Sequence, residues 1–233
     1  MDVATRNWHE FASSETLALG LSGTVAKVLG DAIAIRGKAT IAVSGGTTPG
    51  LFFRTLSREK LDWAKVTVTL IDERFVPADS PRSNAGLVAA NLLQHEAAAA
   101  NFVGLYSEAG NVQSAAQRAN DFIARSALPL DAAILGMGGD GHTASFFPDA
   151  GNLTALLDPA SKSNVLPVHA ASGIEPRLTL ALPRIAEAGF IALHIEGAEK
   201  RRVLEAALGN ESHLPIRAVF DHAKTPVQVF WAP

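Results

Sequence analysis

Short apolar runs alternate along this chain with segments whose apolar residues follow helical spacing. The apolar residues between positions 17 and 29 recur every three or four residues, which predicts a helix, and residues 40–44 predict a strand. The same alternation predicts strands at 66–71, 132–135, 165–168, 178–182, 190–195 and 227–231, and helices at 83–93, 112–125 and 198–208. Strands that alternate with helices favour parallel pairing. We therefore expect an α/β protein: a single layered domain over residues 1–233, with a mostly parallel central sheet flanked by helices in a Rossmann-like arrangement.

Composition excludes several classes of protein. The chain has 233 residues, 48% of them hydrophobic, which is enough for a substantial core, and its net charge of −3 gives no reason to expect nucleic-acid binding. The absence of cysteine excludes disulfides, thiolate nucleophiles and cysteine-ligated metals. Residues 1–6 lack the pattern of a signal peptide, and the apolar segment 17–35 is interrupted by Lys27, Asp31 and three glycines. We expect a soluble cytoplasmic protein without nucleic-acid or membrane partners.

Polar segments follow three of the predicted strands: residues 44–48, 72–74 and 136–145. In open α/β sheets, ligands bind outside the carboxyl ends of the strands. The first segment, Ser-Gly-Gly-Thr-Thr, offers exposed backbone N–H groups to an anion, and Thr48-Pro49 predicts the start of a helix. The segment alone is equally consistent with an ordinary glycine turn. It is neither a Walker A loop nor a dinucleotide fingerprint.

The third segment combines a mobile backbone with a proton carrier. Four glycines within residues 136–141 let the backbone approach a ligand closely. His142 can take up a proton near neutral pH, and Asp140 is placed to orient it. The pair could instead ligate a metal, but no third ligand is evident nearby. The other six histidines lack glycine-rich surroundings and are predicted to be surface or structural residues.

Charged residues elsewhere are candidate partners for an anion. Lys200 lies in the first turn of the predicted helix 198–208, where a cation opposes the helix dipole at a cost of roughly 0.3–1 kcal/mol that a bound anion would reverse. Alternatively, its stem covers apolar surface. Arg177 opens a predicted strand and is either a second anion partner or a surface arginine. Asp72 and Glu73 are candidate general bases, or they pair with Arg74.

These motifs together resemble the 6-phosphogluconolactonase family. The matching segments span residues 44–49, 72–77, 83–84, 136–148 and 197–200. Phe146 is a departure, since the family more often has leucine there. The resemblance implies a fold shared with the glucosamine-6-phosphate deaminases. It also implies hydrolysis of 6-phospho-D-glucono-1,5-lactone to 6-phospho-D-gluconate in the oxidative branch of the pentose phosphate pathway.

The resemblance also implies roles for individual residues. His142 would be the general base that activates water, supported by Asp140, while Asp72 and Arg74 would line the lactone end of the site. The substrate and its phosphate would be held by Ser44, Gly45, Gly46, Thr47, Thr48, Arg177 and Lys200. The only partner implied is a phosphorylated sugar lactone, with no metal or organic cofactor, and we expect a monomer or a small homo-oligomer.

Two other functions fit some of these residues. A sugar-phosphate isomerase or amino-sugar deaminase on the same fold should carry an acidic residue just after the histidine, where this chain has Phe146-Phe147-Pro148. A non-catalytic sugar-phosphate sensor should lose the base and usually carries a further DNA-binding or partner domain, whereas this chain keeps His142. Both comparisons favour the lactonase.

Overall fold

In the computed structural model, which describes residues 7–172, 175–209 and 212–233, ten strands form two sheets. The strands are β1 (Trp8–Glu10), β2 (Ala39–Val43), β3 (Val66–Leu70), β4 (Asp72–Arg74), β5 (Asn101–Val103), β6 (Ala132–Leu135), β7 (Val165–Val168), β8 (Arg177–Leu180), β9 (Phe190–Glu196) and β10 (Gln228–Ala232). The larger sheet has the order β1-β10-β9-β6-β2-β3-β5, and each of its pairings is parallel. The mostly parallel central sheet is therefore confirmed.

Eight α-helices connect and cover the strands. They are α1 (Ser14–Arg36), α2 (Gly50–Leu56), α3 (Asn84–Asn91), α4 (Val112–Ser126), α5 (Leu153–Leu156), α6 (Leu182–Ala186), α7 (Ala198–Ala207) and α8 (Ile216–His222), within the described ranges. Two short 3-10 helices, Trp63–Lys65 and His95–Ala99, complete the connections. Every residue of β2 and β6 is buried, because helices flank both faces of a parallel sheet.

The strand order reverses in the middle of the large sheet. From β2 the chain moves outward through β3 to β5, and it then crosses to the other side of β2 and continues through β6, β9 and β10. This is a doubly wound arrangement, as predicted. Its switch point lies between β2 and β6, and ligands of such sheets bind in the crevice at the carboxyl ends of these two strands.

The longest helix, α1, packs into the core. Ser13 caps its first turn, Gly37 ends it in a left-handed conformation, and Leu17, Leu21 and Leu29 are fully buried at helical spacing. Among the described helices, α1 is also the one whose length and composition would let it cross a membrane. The buried stripe of α1 and its contacts with α2 and β2 are those of a helix packed on a sheet.

A separate antiparallel sheet, with the order β4-β8-β7, lies outside the parallel one. Residues 72–74 were expected to be the polar end of the preceding strand. Instead β3 stops at Leu70 and these residues form β4, which pairs antiparallel with β8. Side chains on β4 and β8 can therefore meet, although more than a hundred residues separate them in the sequence.

The predicted helix start at Thr48-Pro49 is displaced. The α2 helix begins at Gly50, Pro49 occupies the N-cap position, and no side chain caps the helix. The Thr48 hydroxyl instead accepts a hydrogen bond from Lys200. The capping bond predicted from the local sequence is therefore not formed at this helix.

Candidate active site

The three polar segments converge on one cavity at the switch point of the parallel sheet. Of the eleven residues predicted to form the site, ten line this cavity: Ser44, Gly45, Gly46, Thr47, Thr48, Asp72, Arg74, His142, Arg177 and Lys200. The eleventh, Asp140, contacts the His142 side chain from outside the lining. The fold therefore brings together residues from five separate parts of the sequence.

His142 and Asp140 form a hydrogen-bonded pair on the loop after β6. The Nδ1 atom of His142 lies 2.5 Å from Oδ1 of Asp140, and the same oxygen accepts the backbone N–H of His142 at 3.1 Å. Because the carboxylate accepts, Nδ1 carries the hydrogen and Nε2 keeps its lone pair. The arrangement can position a neutral imidazole to take a proton from water.

Close backbone approach at Gly138 makes this pair possible. A Cβ atom at Gly138 would lie 2.3 Å from the His142 ring and 2.7 Å from Oδ1 of Asp140, so a larger residue would displace both side chains. The loop is closed by a hydrogen bond from Gly138 N–H to the His142 carbonyl at 2.9 Å. Glycine at position 138 therefore has a steric cause.

Lys200 and the loop after β2 form one wall of the cavity. Gly46 adopts a φ of 100°, a conformation that favours glycine, and lets the loop turn at the end of β2. Lys200 is the third residue of α7 and donates from Nζ to Oγ1 of Thr48 at 3.3 Å. The predicted location of Lys200 in the first turn of a helix is confirmed. Its charge lies beside residues 44–48, which we call the glycine loop.

Two arginines lie side by side on the second sheet. Arg74 on β4 is directly opposite Arg177 on β8, and each has a buried Nε atom without a hydrogen-bond partner within the described part of the chain. Burial lowers the pKa of Arg177, partly offset by the nearby charge of Asp72. Like charges opposite one another destabilise a strand pair. An anion in the cavity would relieve that repulsion.

The two acidic residues of β4 have different environments. Oδ2 of Asp72 accepts a hydrogen bond from Ser145 at 2.6 Å, and Asp72 lines the cavity. Glu73 is fully buried and is not paired with the Arg74 guanidinium, which corrects that alternative. Its carboxylate accepts backbone N–H groups of Arg74, Asn84 and Ala85 and the hydroxyl of Ser83. Burial raises the pKa of Glu73, and these hydrogen bonds lower it in part.

Three polar residues of the lining, Asn84, Thr143 and His194, were not predicted to be site residues. Asn84 was noticed only as part of a motif, and His194 was predicted to be a surface or structural histidine. His194 is indeed buried and bonded, with Nε2 donating to Oε1 of Glu196 at 2.9 Å, yet it also faces the cavity. Its place near the carboxyl end of β9, next to the switch point, was the available signal.

Unpartnered polar atoms concentrate around the cavity. Within the described residues, six buried side-chain atoms lack a hydrogen-bond partner, and four of them belong to cavity-lining residues: Ser44, Arg74, Asn84 and Arg177. Such atoms cost stability, so their clustering at one place indicates a surface shaped for a polar ligand. Across residues 7–172, 175–209 and 212–233, no three His, Asp or Glu side chains are placed to hold a metal ion.

A doubly wound parallel sheet with a histidine–aspartate pair and cationic side chains at its switch point is the architecture of an α/β enzyme. A model of the family described as glucosamine-6-phosphate isomerases/6-phosphogluconolactonase matches residues 12–231. The chain belongs to this family.

Individual relatives agree with that assignment. A 6-phosphogluconolactonase of Mesorhizobium japonicum is 59% identical over 233 residues, covering 100% of this chain and 98% of its own length. The crystal structure of a 6-phosphogluconolactonase from Shewanella baltica matches with a TM-score of 0.94 at 36% identity, covering 97% of each chain. The names of these relatives confirm the predicted enzyme class, a carboxylic ester hydrolase. A solved monomeric glucosamine-6-phosphate deaminase, with a TM-score of 0.74 at 20% identity over 97% of each chain, shows the shared fold alone.

Proposed function

We propose that this enzyme hydrolyses 6-phospho-D-glucono-1,5-lactone to 6-phospho-D-gluconate in the oxidative branch of the pentose phosphate pathway. The observation that carries the proposal is the cavity itself. It contains a histidine that can act as a base, together with cationic side chains and backbone N–H groups that can bind a phosphate. The relatives named 6-phosphogluconolactonase support the same substrate.

The phosphate binds to the loop Gly45-Gly46-Thr47-Thr48, with Ser44 at its base and with Lys200 and Arg177 as counter-ions. Lys200 already donates to Thr48 at 3.3 Å, so its charge is directed at this loop. Arg177 lines the same cavity, so its guanidinium can donate to a phosphate oxygen there. Binding at this end anchors the substrate for reaction at the other.

His142 acts as general base at the lactone end, which Asp72 and Arg74 line. Nε2 takes a proton from water as the water oxygen bonds to the carbonyl carbon, and the carbonyl electron pair moves onto its oxygen. When the carbonyl re-forms, the bond to the ring oxygen breaks and that oxygen takes the proton back from His142. Asp140 holds the ring in the required tautomer and stabilises the imidazolium that forms between these steps.

Phe147 supports hydrolysis over deamination. Its ring lies 4.5 Å from the His142 ring, centroid to centroid, and the Arg177 guanidinium lies 5.4 Å from the Phe147 centroid. An apolar ring therefore occupies the neighbourhood in which an isomerase or deaminase would need its additional acid. Ester hydrolysis needs no such acid, because one base can remove the proton from water and then donate it to the leaving oxygen.

The remaining expectations belong to the same proposal. We propose one domain with one site, a chemistry that needs neither metal nor organic cofactor, and a monomer or small homo-oligomer. A soluble cytoplasmic location without nucleic-acid or membrane partners also stays a prediction.

The first experiment follows hydrolysis of freshly made 6-phosphogluconolactone, with product detected by coupled 6-phosphogluconate dehydrogenase and spontaneous hydrolysis subtracted. We expect acceleration by the wild type and a loss of about 10²–10⁴-fold in kcat for His142→Ala, the range typical of general bases. His222→Ala, at an exposed histidine of α8, is the matched control and should keep full activity. No acceleration by the wild type would reject the proposal, and turnover of glucosamine 6-phosphate instead would favour the deaminase.

A further inference from the structure

Asn84, the first residue of α3, contacts both β4 and the loop after β2. Its backbone N–H donates to Oε1 of the buried Glu73 at 2.7 Å, and its side-chain Nδ2 donates to the Asp72 carbonyl oxygen at 2.8 Å. The backbone of Asn84 is thereby anchored to Glu73 and its side chain to the Asp72 carbonyl, and Asn84 is only 2% exposed. The Asn84 side chain is therefore held in one orientation.

The third contact of Asn84 is with the glycine loop. A Cβ atom built on Gly45 would lie 1.9 Å from Oδ1 of Asn84, 2.2 Å from Cγ and 2.7 Å from Nδ2. The amide plane is therefore packed directly against the Gly45 backbone. Gly45 does not have a positive φ, so the need for glycine here comes from this contact and not from backbone conformation.

The contact leaves a polar atom without a partner. Oδ1 of Asn84 is buried and receives no hydrogen bond from the described residues. Leaving a buried acceptor unpaired is unfavourable, and an apolar residue would fill the same space without that cost. The orientation of the amide is nevertheless unambiguous, because Nδ2 is the atom that meets the Asp72 carbonyl.

We propose that Asn84 is a positioning residue that clamps the glycine loop in its phosphate-binding shape, with Glu73 holding the clamp in place. The inference rests on the proposed function in that the loop is assigned to the phosphate. Asn84 acts through the loop, because its Oδ1 atom is buried and its amide group lies next to Gly45. Asn84 fixes the position of the loop 44–48 relative to β4, the strand that carries Asp72 and Arg74. The distance between the phosphate end and the lactone end of the site is thereby kept constant.

A double-mutant cycle between residues 45 and 84 tests the clamp. Asn84→Ala should raise KM for the phosphorylated lactone and Kd for 6-phosphogluconate and inorganic phosphate by about tenfold, with a much smaller change in kcat. Gly45→Ala should weaken binding at least as much, because its methyl group collides with Asn84. In the Asn84→Ala background the same Gly45→Ala change should have little effect, since the obstacle is gone.

Asn91→Ala, at the other end of α3, is the matched control and should leave KM and Kd unchanged, because Asn91 contacts Arg54 and not the loop. Thermal unfolding checks that each variant folds, and Asn84→Ser takes the place of Asn84→Ala if the alanine variant does not. Phosphate affinity equal to wild type in the Asn84 variant would overturn the clamp. So would equal weakening by Gly45→Ala in both backgrounds.

Binding and turnover separate the two proposals. If the wild type fails to hydrolyse the lactone but binds inorganic phosphate, the proposed function fails while the cycle in Kd still decides the clamp. If the wild type binds neither inorganic phosphate nor 6-phosphogluconate, the phosphate loop and its clamp are both rejected.

Discussion

At the scale of single residues, the charges of the site are arranged unfavourably for an empty protein. Lys200 lies at the start of α7, where the helix dipole opposes a cation, and Arg74 and Arg177 face each other across a strand pair. Each placement costs stability, and the phosphate that we propose to bind in the cavity would offset both costs. This is the pattern expected of a site whose charges are selected for binding.

Replacing Lys200 should separate binding from chemistry. We expect Lys200→Ala to raise KM for the phosphorylated lactone by about 10- to 100-fold, because a hydrogen bond to a charged group is worth roughly 1.5–3 kcal/mol. The kcat should change little, since the lysine meets substrate and transition state alike. Arg202→Ala, an exposed cation on the same helix, is the control for net charge. An unchanged KM in Lys200→Ala would remove the lysine from the phosphate site.

Single residues also mark the limit of what the sequence could reveal. The glycine-rich surroundings of His142 and Asp140 were visible in the sequence, and the structure shows a steric need for glycine at position 138. Asn84 and His194 carry no such signal. For His194 the available signal was its position near the end of a predicted strand, and the three-dimensional arrangement shows that both residues line the cavity.

At the scale of elements, strands were predictable where burial on both faces makes the sequence continuously apolar, as in β2 and β6. The three-residue strands β1 and β5 were missed, because so short a segment shows no periodicity. The assignment of residues 72–74 as a strand end failed for a different reason. Their pairing with β8 is long-range, and no local pattern encodes it.

Glu73 connects β4 to the start of α3 through hydrogen bonds, and replacing it should destabilise the folded protein. In Glu73→Gln, an NH₂ group would face backbone N–H donors that the carboxylate now accepts, such as those of Asn84 and Ala85. We expect a loss of about 1–3 kcal/mol in the free energy of unfolding at neutral pH or below, measured by urea denaturation. Glu108→Gln, at an exposed position, makes the same change in charge on the surface and should have little effect.

The contribution of Glu73 to stability should also depend on pH. Burial raises the pKa of Glu73 above its usual 4.5, so the folded protein holds this proton more tightly than the unfolded chain does. The stability that Glu73 contributes is then greatest below pH 4.5 and declines as pH rises through its raised pKa. The stability difference between wild type and Glu73→Gln should therefore shrink as pH rises through that window. A difference that grows with pH would show that the four hydrogen bonds outweigh burial.

At the scale of the whole molecule, the topology explains why so few residues suffice for a site. A doubly wound sheet directs the loops after β2 and β6 away from each other at the switch point, which opens a crevice without any dedicated cavity-forming element. The antiparallel sheet then adds Arg74 and Arg177 to one side. The parallel sheet was predictable from the alternation of strands and helices, whereas the second sheet was not.

The whole fold also depends on α1, which has the length and composition of a membrane span and yet packs in the core. Two leucines on opposite faces of α1 allow a test of whether the helix is packed in the core or binds a membrane. Leu21 is fully buried and Leu19 is 62% exposed. We expect Leu21→Ala to cost about 2–5 kcal/mol in the free energy of unfolding, whereas Leu19→Ala should stay within about 0.5 kcal/mol. Urea denaturation measures both, and flotation with phospholipid vesicles should leave the wild type unbound. Equal effects of the two substitutions, or recovery of the protein with the vesicles, would mean that the apolar surface of α1 has a partner outside this core.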